Sequence, residues 1–272
     1  MPDPATTTDQ ADYARALAFE RASVAAAVAR VEDLGWGTAY LEPALPLVYD
    51  ENFVWAHAAG LDAGEAMRAA DRVLAPLAHR RIIIDDEPTW LAASSRFARA
   101  GWRWETETVM VHRVAPDRPE PAVAVEEGAL ADILPAVEAY IASEPWGRHS
   151  RTQAELLEHH RRATAAMELE CCFLVRDGGA PMAYCKLWRR GGVAQVEDVV
   201  VLPAARGRGF GRAVVTAAIA AARTMELELL FIVADDDDWP KELYAKLGFQ
   251  RVGRLRIFDR RPQPADSLRP PA

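Results

Sequence analysis

The sequence predicts a mixed α+β fold, a mostly antiparallel sheet flanked by helices, with the arrangement repeated along the chain. Three observations carry this. Apolar, strand-like runs at 171–176, 182–189 and 193–202 are joined by Asp177-Gly178-Gly179 and Gly191-Gly192, and the first junction is a strong hairpin signal. The third run then passes through a glycine-rich turn into an alanine-rich stretch at 211–225 and on to a buried strand at 229–234. Hairpins followed by such a strand–helix–strand crossover give a mixed sheet. Finally, Phe97-Ala98-Arg99-Ala100-Gly101-Trp102 echoes Tyr244-Ala245-Lys246-Leu247-Gly248-Phe249. Each of these follows an apolar strand-like run.

The elements follow in order. Residues 64–77 read as a helix, 81–85 as a strand and 105–113 as an alternating strand that closes the first half. Val114-Ala115-Pro116-Asp117-Arg118-Pro119-Glu120-Pro121 holds three prolines in eight residues and reads as an extended linker. It sets the expected domains at 10–115 and 120–260. Helices are predicted at 130–143 and 152–167, separated by Glu144-Pro145-Trp146-Gly147, and a short helix begins with proline at 240–246. A last strand spans 250–258. Residues 1–9 read as a frayed end and the proline-rich tail 261–272 as disordered.

Composition bounds the function. The 272 residues, 50% hydrophobic, are enough for two domains with cores of their own. A net charge of -8 argues against nucleic-acid binding, which needs a basic surface. No run of about 18 residues is apolar and free of charge, so no membrane span is expected. The first residues show no basic region or apolar core of a signal peptide. Three cysteines, two of them adjacent, fit a reducing compartment better than a disulfide framework. The expectation is a cytoplasmic protein, monomer or homodimer. His79 and His159-His160 lie scattered without ligand spacing, so no metal is expected.

The segment that carries chemistry is Leu202-Pro203-Ala204-Ala205-Arg206-Gly207-Arg208-Gly209-Phe210-Gly211-Arg212. A strand ends at proline, glycines alternate with arginines, and a helix starts at the last glycine. Glycines let a phosphate approach the backbone, first-turn N–H groups lack intrahelical partners, and the helix dipole favours an anion. Arg206, Arg208 and Arg212 add full charges. A Walker loop would need a lysine that is absent, and the dinucleotide fingerprint GxGxxG fails because Arg212 stands at its sixth place.

What remains is R-x-x-G-x-G at Arg206 to Gly211, which resembles the loop of the GNAT family, the Gcn5-related N-acetyltransferases. Leu243-Tyr244-Ala245-Lys246-Leu247-Gly248-Phe249 resembles a second motif of that family. The resemblance is specific over 170–260, less so over 120–170 and weak over 10–115. It implies a GNAT fold, in tandem, with acetyl-CoA as co-substrate and a primary amine on a small molecule, protein or peptide as acceptor. It also implies that Gly207, Gly209, Phe210 and Gly211, with the three arginines, hold the pyrophosphate, and that Val199 and Val201 offer backbone to pantetheine. Tyr244 would protonate the departing thiolate, although a tyrosine here also packs as core. Glu197 or Asp198 would be the base; on a regular strand they point to opposite faces, so only one can serve unless a bulge intervenes. Glu144 and Trp146 lie where the family chooses its acceptors.

Two departures stand out. Asp237 and Pro240 replace an asparagine and a small residue usual in the family, within the run Asp235-Asp236-Asp237-Asp238, which is expected to face away from the phosphates. In the first half, Phe97 stands where the second has Tyr244, and the corresponding loop, Ala59-Gly60-Leu61-Asp62-Ala63-Gly64-Glu65, is acidic. One cofactor per chain is therefore expected. The competing readings are a non-catalytic acyl-CoA sensor and another acyltransferase on the tandem fold, such as a mycothiol-synthase-like enzyme.

Overall fold

The computed structural model describes residues 4–119 and 123–261. In chain order the first half contains α1 (Pro4–Ala27), β1 (Arg30–Asp33), β2 (Gly37–Leu41), β3 (Phe53–Ala56), α2 (Ala63–Val73), β4 (Arg80–Ile84), α3 (Glu87–Arg99) and β5 (Arg103–His112). The second contains β6 (Glu126–Gly128), α4 (Leu130–Ser143), α5 (Ser150–Ala165), β7 (Leu169–Asp177), β8 (Ala180–Arg190), β9 (Val193–Val201), α6 (Phe210–Ala222), β10 (Leu229–Asp235), α7 (Pro240–Lys246) and β11 (Phe249–Arg260). The expected tail from 262 onward lies outside the described residues, as do residues 120–122 of the linker.

The compact units do not divide at the proline-rich segment. One gathers the residues up to Ala27 with Thr108–Gly253; the other holds Val28–Glu107 and the described residues from Arg254 onward. The reason is local bonding. The Asp117 N–H donates to the Lys246 carbonyl at 2.8 Å, and the Arg212 guanidinium grips the Asp117 carboxylate and the Arg118 carbonyl. These ties fasten the start of the proline-rich segment to the later unit.

The N-terminus also departs from expectation. Residues 4–9 are helical, and Arg113 clamps Asp9 and Asp12 at 2.6 and 2.7 Å. Residues 1–3 lie outside the described part. Phe19 of α1 meets Phe231 of β10 edge-on, with ring centroids 5.4 Å apart. The first helix of the chain thus belongs to the later unit.

In that unit the strand order β10-β9-β8-β7-β6 is antiparallel except for β9 and β10, which run parallel. The period-2 alternation of β8 sorts its side chains between two faces. Ala183, Cys185 and Leu187 join Val214, Val215, Ala218 and Ile219 of α6. Tyr184 faces the other way, with Ile133, Ala136, Val137 and Ile141 of α4.

The other unit has the order β1-β2-β3-β4-β11, antiparallel except for the parallel pair β3 and β4. Phe97 is fully buried there, stacked on Phe258 at 4.0 Å and edge-on to Trp102. The order helix–strand–helix–strand occurs twice, as α2-β4-α3-β5 and α6-β10-α7-β11. Asp62 caps α2 by accepting from the Glu65 N–H at 3.0 Å, and it pairs with Arg96. The chain's own carboxylate thus occupies the first turn of that helix.

Candidate active site

The loop between β9 and α6 forms where the sequence places it. After Val201 the chain makes a short turn at Pro203–Ala205, then enters left-handed backbone at Gly207 (φ 77°) and again at Gly209 (φ 81°). Side chains avoid that region by about 1–2 kcal/mol, which glycine does not pay. Gly209 is the N-cap of α6, so the first-turn N–H groups lack intrahelical acceptors. They border a cavity of about 740 Å³ whose lining includes Val199, Val201, Arg206, Gly209, Gly211 and Tyr244.

The arginines divide. Arg208 pairs with Asp177 and lies over the Phe210 ring, while Arg212 pairs with Asp117. Arg206 reaches only the Val201 carbonyl, at 3.4 Å. Among the described residues no carboxylate pairs with it.

A bulge shapes the adjoining strand. Lys186 opposes Glu197 and Tyr184 opposes Val200, so Cys185 faces two residues of β9. Asp198 takes up the extra length in left-handed backbone, at φ 50°. On its other side β9 pairs with β10 only from Val193 to Val196. Beyond that point the parallel strands separate, and Val199, Val200 and Val201 line the cavity.

The bulge frees both carboxylates from simple alternation. Asp198 Oδ2 accepts from Lys186 Nζ at 2.8 Å and lies 3.3 Å from His160 Nδ1. Lys186 has 0% of its surface exposed and also meets His160 Nδ1 at 2.9 Å. Burial alone would push the Asp198 carboxyl up, but Lys186 and His160 outweigh it and hold the group well below the usual range. Burial also holds the His160 imidazole below its ordinary value, against the pull of Asp198. Glu197 instead accepts from Gln195 Nε2 at 2.6 Å.

Tyr244 is 6% exposed, on α7. Burial raises its phenol above the ordinary value, and Cys185, Glu197 and Asp238 add to that. The group therefore stays protonated at neutral pH. Trp146 is 47% exposed and meets Tyr140 edge-on at 6.1 Å, and Tyr140 lines the cavity. Glu144 ends α4, where its charge helps raise the Tyr140 phenol after burial itself. The acidic run does not turn away as a whole: Asp238 lines the cavity together with Trp239. Asp235 instead accepts from the Asp237 N–H, and Asp236 pairs with Lys241.

Sequence reading missed Tyr140, Lys186, His160 and Gln195. The first was readable as an aromatic in the last turn of a predicted helix; the others join only through the bulge and strand pairing. Among the described residues no group of His, Cys, Asp or Glu is placed to hold a metal, and no helix is long and apolar enough to cross a membrane.

Comparison with known proteins agrees with this geometry. Residues 135–249 match the acetyltransferase (GNAT) family. A conserved protein of unknown function from Staphylococcus epidermidis is similar at 13% identity over 85% of this chain and 93% of its own, with a TM-score of 0.67. A GCN5-related N-acetyltransferase from Kribbella flavida matches at 17% identity, over 95% and 98%, with a TM-score of 0.63. A tandem GNAT protein from the clavulanic acid biosynthesis pathway matches at 17% identity, over 74% and 70%, with a TM-score of 0.50. At these identities the likeness is one of fold. Among curated protein sequences none matches the chain. The glycine loop and the parted parallel strands lie within the one segment, residues 135–249, that matches the acetyltransferase (GNAT) family.

Proposed function

We propose that the protein is an acetyl-CoA-dependent N-acetyltransferase acting on a primary amine of a small molecule or peptide. The observation that carries this reading is the convergence on one cavity of the Gly207–Gly209 turn, the parted edge of β9 and Tyr244. The donor fits its residues. First-turn N–H groups of α6 and Arg206, with which no carboxylate among the described residues pairs, suit a pyrophosphate, and the edge of β9 beyond Val196, where β10 no longer pairs with it, suits an amide-bearing chain. When bound, acetyl-CoA supplies the activated acyl group.

The protein residues then divide the proton work. Glu197 takes the proton from the acceptor amine; Asp198 is unsuited, because Lys186 and His160 stabilise its charged form. Tyr244, protonated at neutral pH, donates from its hydroxyl to the departing sulfur. Arg208 and Arg212, engaged with Asp177 and Asp117, shape the loop. Glu144 and Trp146 border the acceptor side through Tyr140. Three free cysteines support a cytoplasmic setting. The test is release of free thiol from acetyl-CoA across a panel of amines. Amine-dependent release is expected; binding of acetyl-CoA with no release under any amine would favour the sensor reading instead.

A further inference from the structure

One polar contact of the active unit originates far from the family segment. Glu20 sits in the middle of α1, a helix that packs on α5, β9 and β10. Its neighbours one turn either side, Ala16, Leu17 and Ser23, are buried, so the carboxylate stands on the helix face turned to the protein. There Gln195 Nε2 donates to Glu20 Oε1 at 2.6 Å and to Glu197 Oε2 at 2.6 Å. An amide NH₂ has two hydrogens, and both are spent on carboxylates. Gln195 is itself 2% exposed, so little water competes for these bonds.

We infer that Glu20 is a positioning residue of the acetyl-transfer site, its carboxylate acting through the shared Gln195 amide to orient Glu197 and to strengthen Glu197 as a base. This rests on the reading of Glu197 given above. The step is a single proton transfer: the ammonium form of the acceptor gives its proton to the Glu197 carboxylate, leaving a free amine and a carboxylic acid. A second negative charge across one amide makes that proton more welcome on Glu197. Burial pushes the Glu20 carboxyl itself up to about 7, against the Gln195 hydrogen bond. Its charge therefore changes near neutral pH.

The surrounding groups set the background. From β8, Lys186 feels the Glu197 charge, although its closer partner is Asp198 of β9. His160 of α5 is likewise engaged with Asp198, and Tyr244 of α7 feels Glu197. At β10 the contact of α1 is apolar, Phe19 on Phe231.

The experiment has two arms on the full-length protein. Carbon-13 carboxyl titration by NMR should show Glu20 of Glu197→Gln titrating at least about one unit lower than in wild type, and the Glu197 carboxyl signal of wild type responding as Glu20 ionises near pH 7, a response absent from Glu20→Gln. With a surrogate amine, the part of the rise in kcat/KM that accompanies Glu20 ionisation near pH 7 should be lost in Glu20→Gln, with acetyl-CoA affinity unchanged. Independent titration of the two carboxyls overturns the inference, whether or not turnover is seen. Reciprocal shifts in a protein with no amine-dependent turnover would uphold the coupling and reject acetyl transfer.

Discussion

At the residue scale, two side chains separate chemistry from packing. Tyr244→Phe keeps the buried ring and removes one hydroxyl. If that hydroxyl serves the departing sulfur, kcat falls roughly 100-fold, while KM for acetyl-CoA barely moves because the interaction belongs to the transition state. Steady-state kinetics decide this, and full turnover would return Tyr244 to the core. Asp198→Asn tests the bulge. It leaves the Lys186 ammonium buried without its anion, which costs about 3 kcal/mol, measurable by urea denaturation. The sign with pH follows from the depressed Asp198 pKa. Below about pH 4 the unfolded chain binds a proton that the native Asp198 refuses, so wild-type stability is lost as pH falls through that range. The Asn variant lacks this part of the acid limb.

Glu20 behaves in the opposite way. Its raised pKa means the native state holds the proton longer than the unfolded chain, so stability declines as pH rises from about 4.5 to about 7. Glu20→Gln removes that decline and should stabilise the protein at pH 8 by on the order of 1 kcal/mol, less than full linkage because the side chain keeps some solvent contact. Thermal melts at pH 5 and pH 8 read the difference. None of these three residues' partners was legible in the sequence. Glu197-Asp198 stood out as a pair, but their division of labour depends on a register slip between β8 and β9. Glu20 depends on where a helix 175 positions away in the chain comes to rest.

At the element scale the loop was almost wholly readable, because glycine and arginine spacing encodes backbone conformation and charge directly. The left-handed backbone at Gly207 and Gly209 is what those glycines permit. What spacing did not show is the commitment of Arg208 and Arg212 to carboxylates elsewhere in the chain. Gly209→Glu adds a strained Cβ, at about 1–2 kcal/mol, and a negative charge at the N-terminus of α6. The variant should fold and bind acetyl-CoA at least about 100-fold more weakly; calorimetry showing unchanged affinity would remove the loop from the donor site. By contrast β1, β2 and β3, of four or five residues each, escaped the sequence reading. Strands this short, and buried along all of Phe53–Ala56, show no alternation to detect.

At the scale of the whole molecule, the repeated order of elements was legible and the division into units was not. Proline spacing marked 114–121 as a boundary, yet Asp117 is bonded to Lys246 and Arg212, and α1 joins the later unit. Asp62, capping α2 and paired with Arg96, takes the place an anion would need in the earlier unit. Titration with acetyl-CoA should therefore saturate at one equivalent per chain. The proposed activity turns on whether an acetyl group moves. Mass spectrometry of an amine incubated with isotopically labelled acetyl-CoA follows that directly, with Glu197→Gln as the comparison. Wild type should yield labelled N-acetyl product, and the variant at least about 100-fold less at equal acetyl-CoA affinity. Equal labelling by both proteins, or none by wild type with any amine, would contradict it.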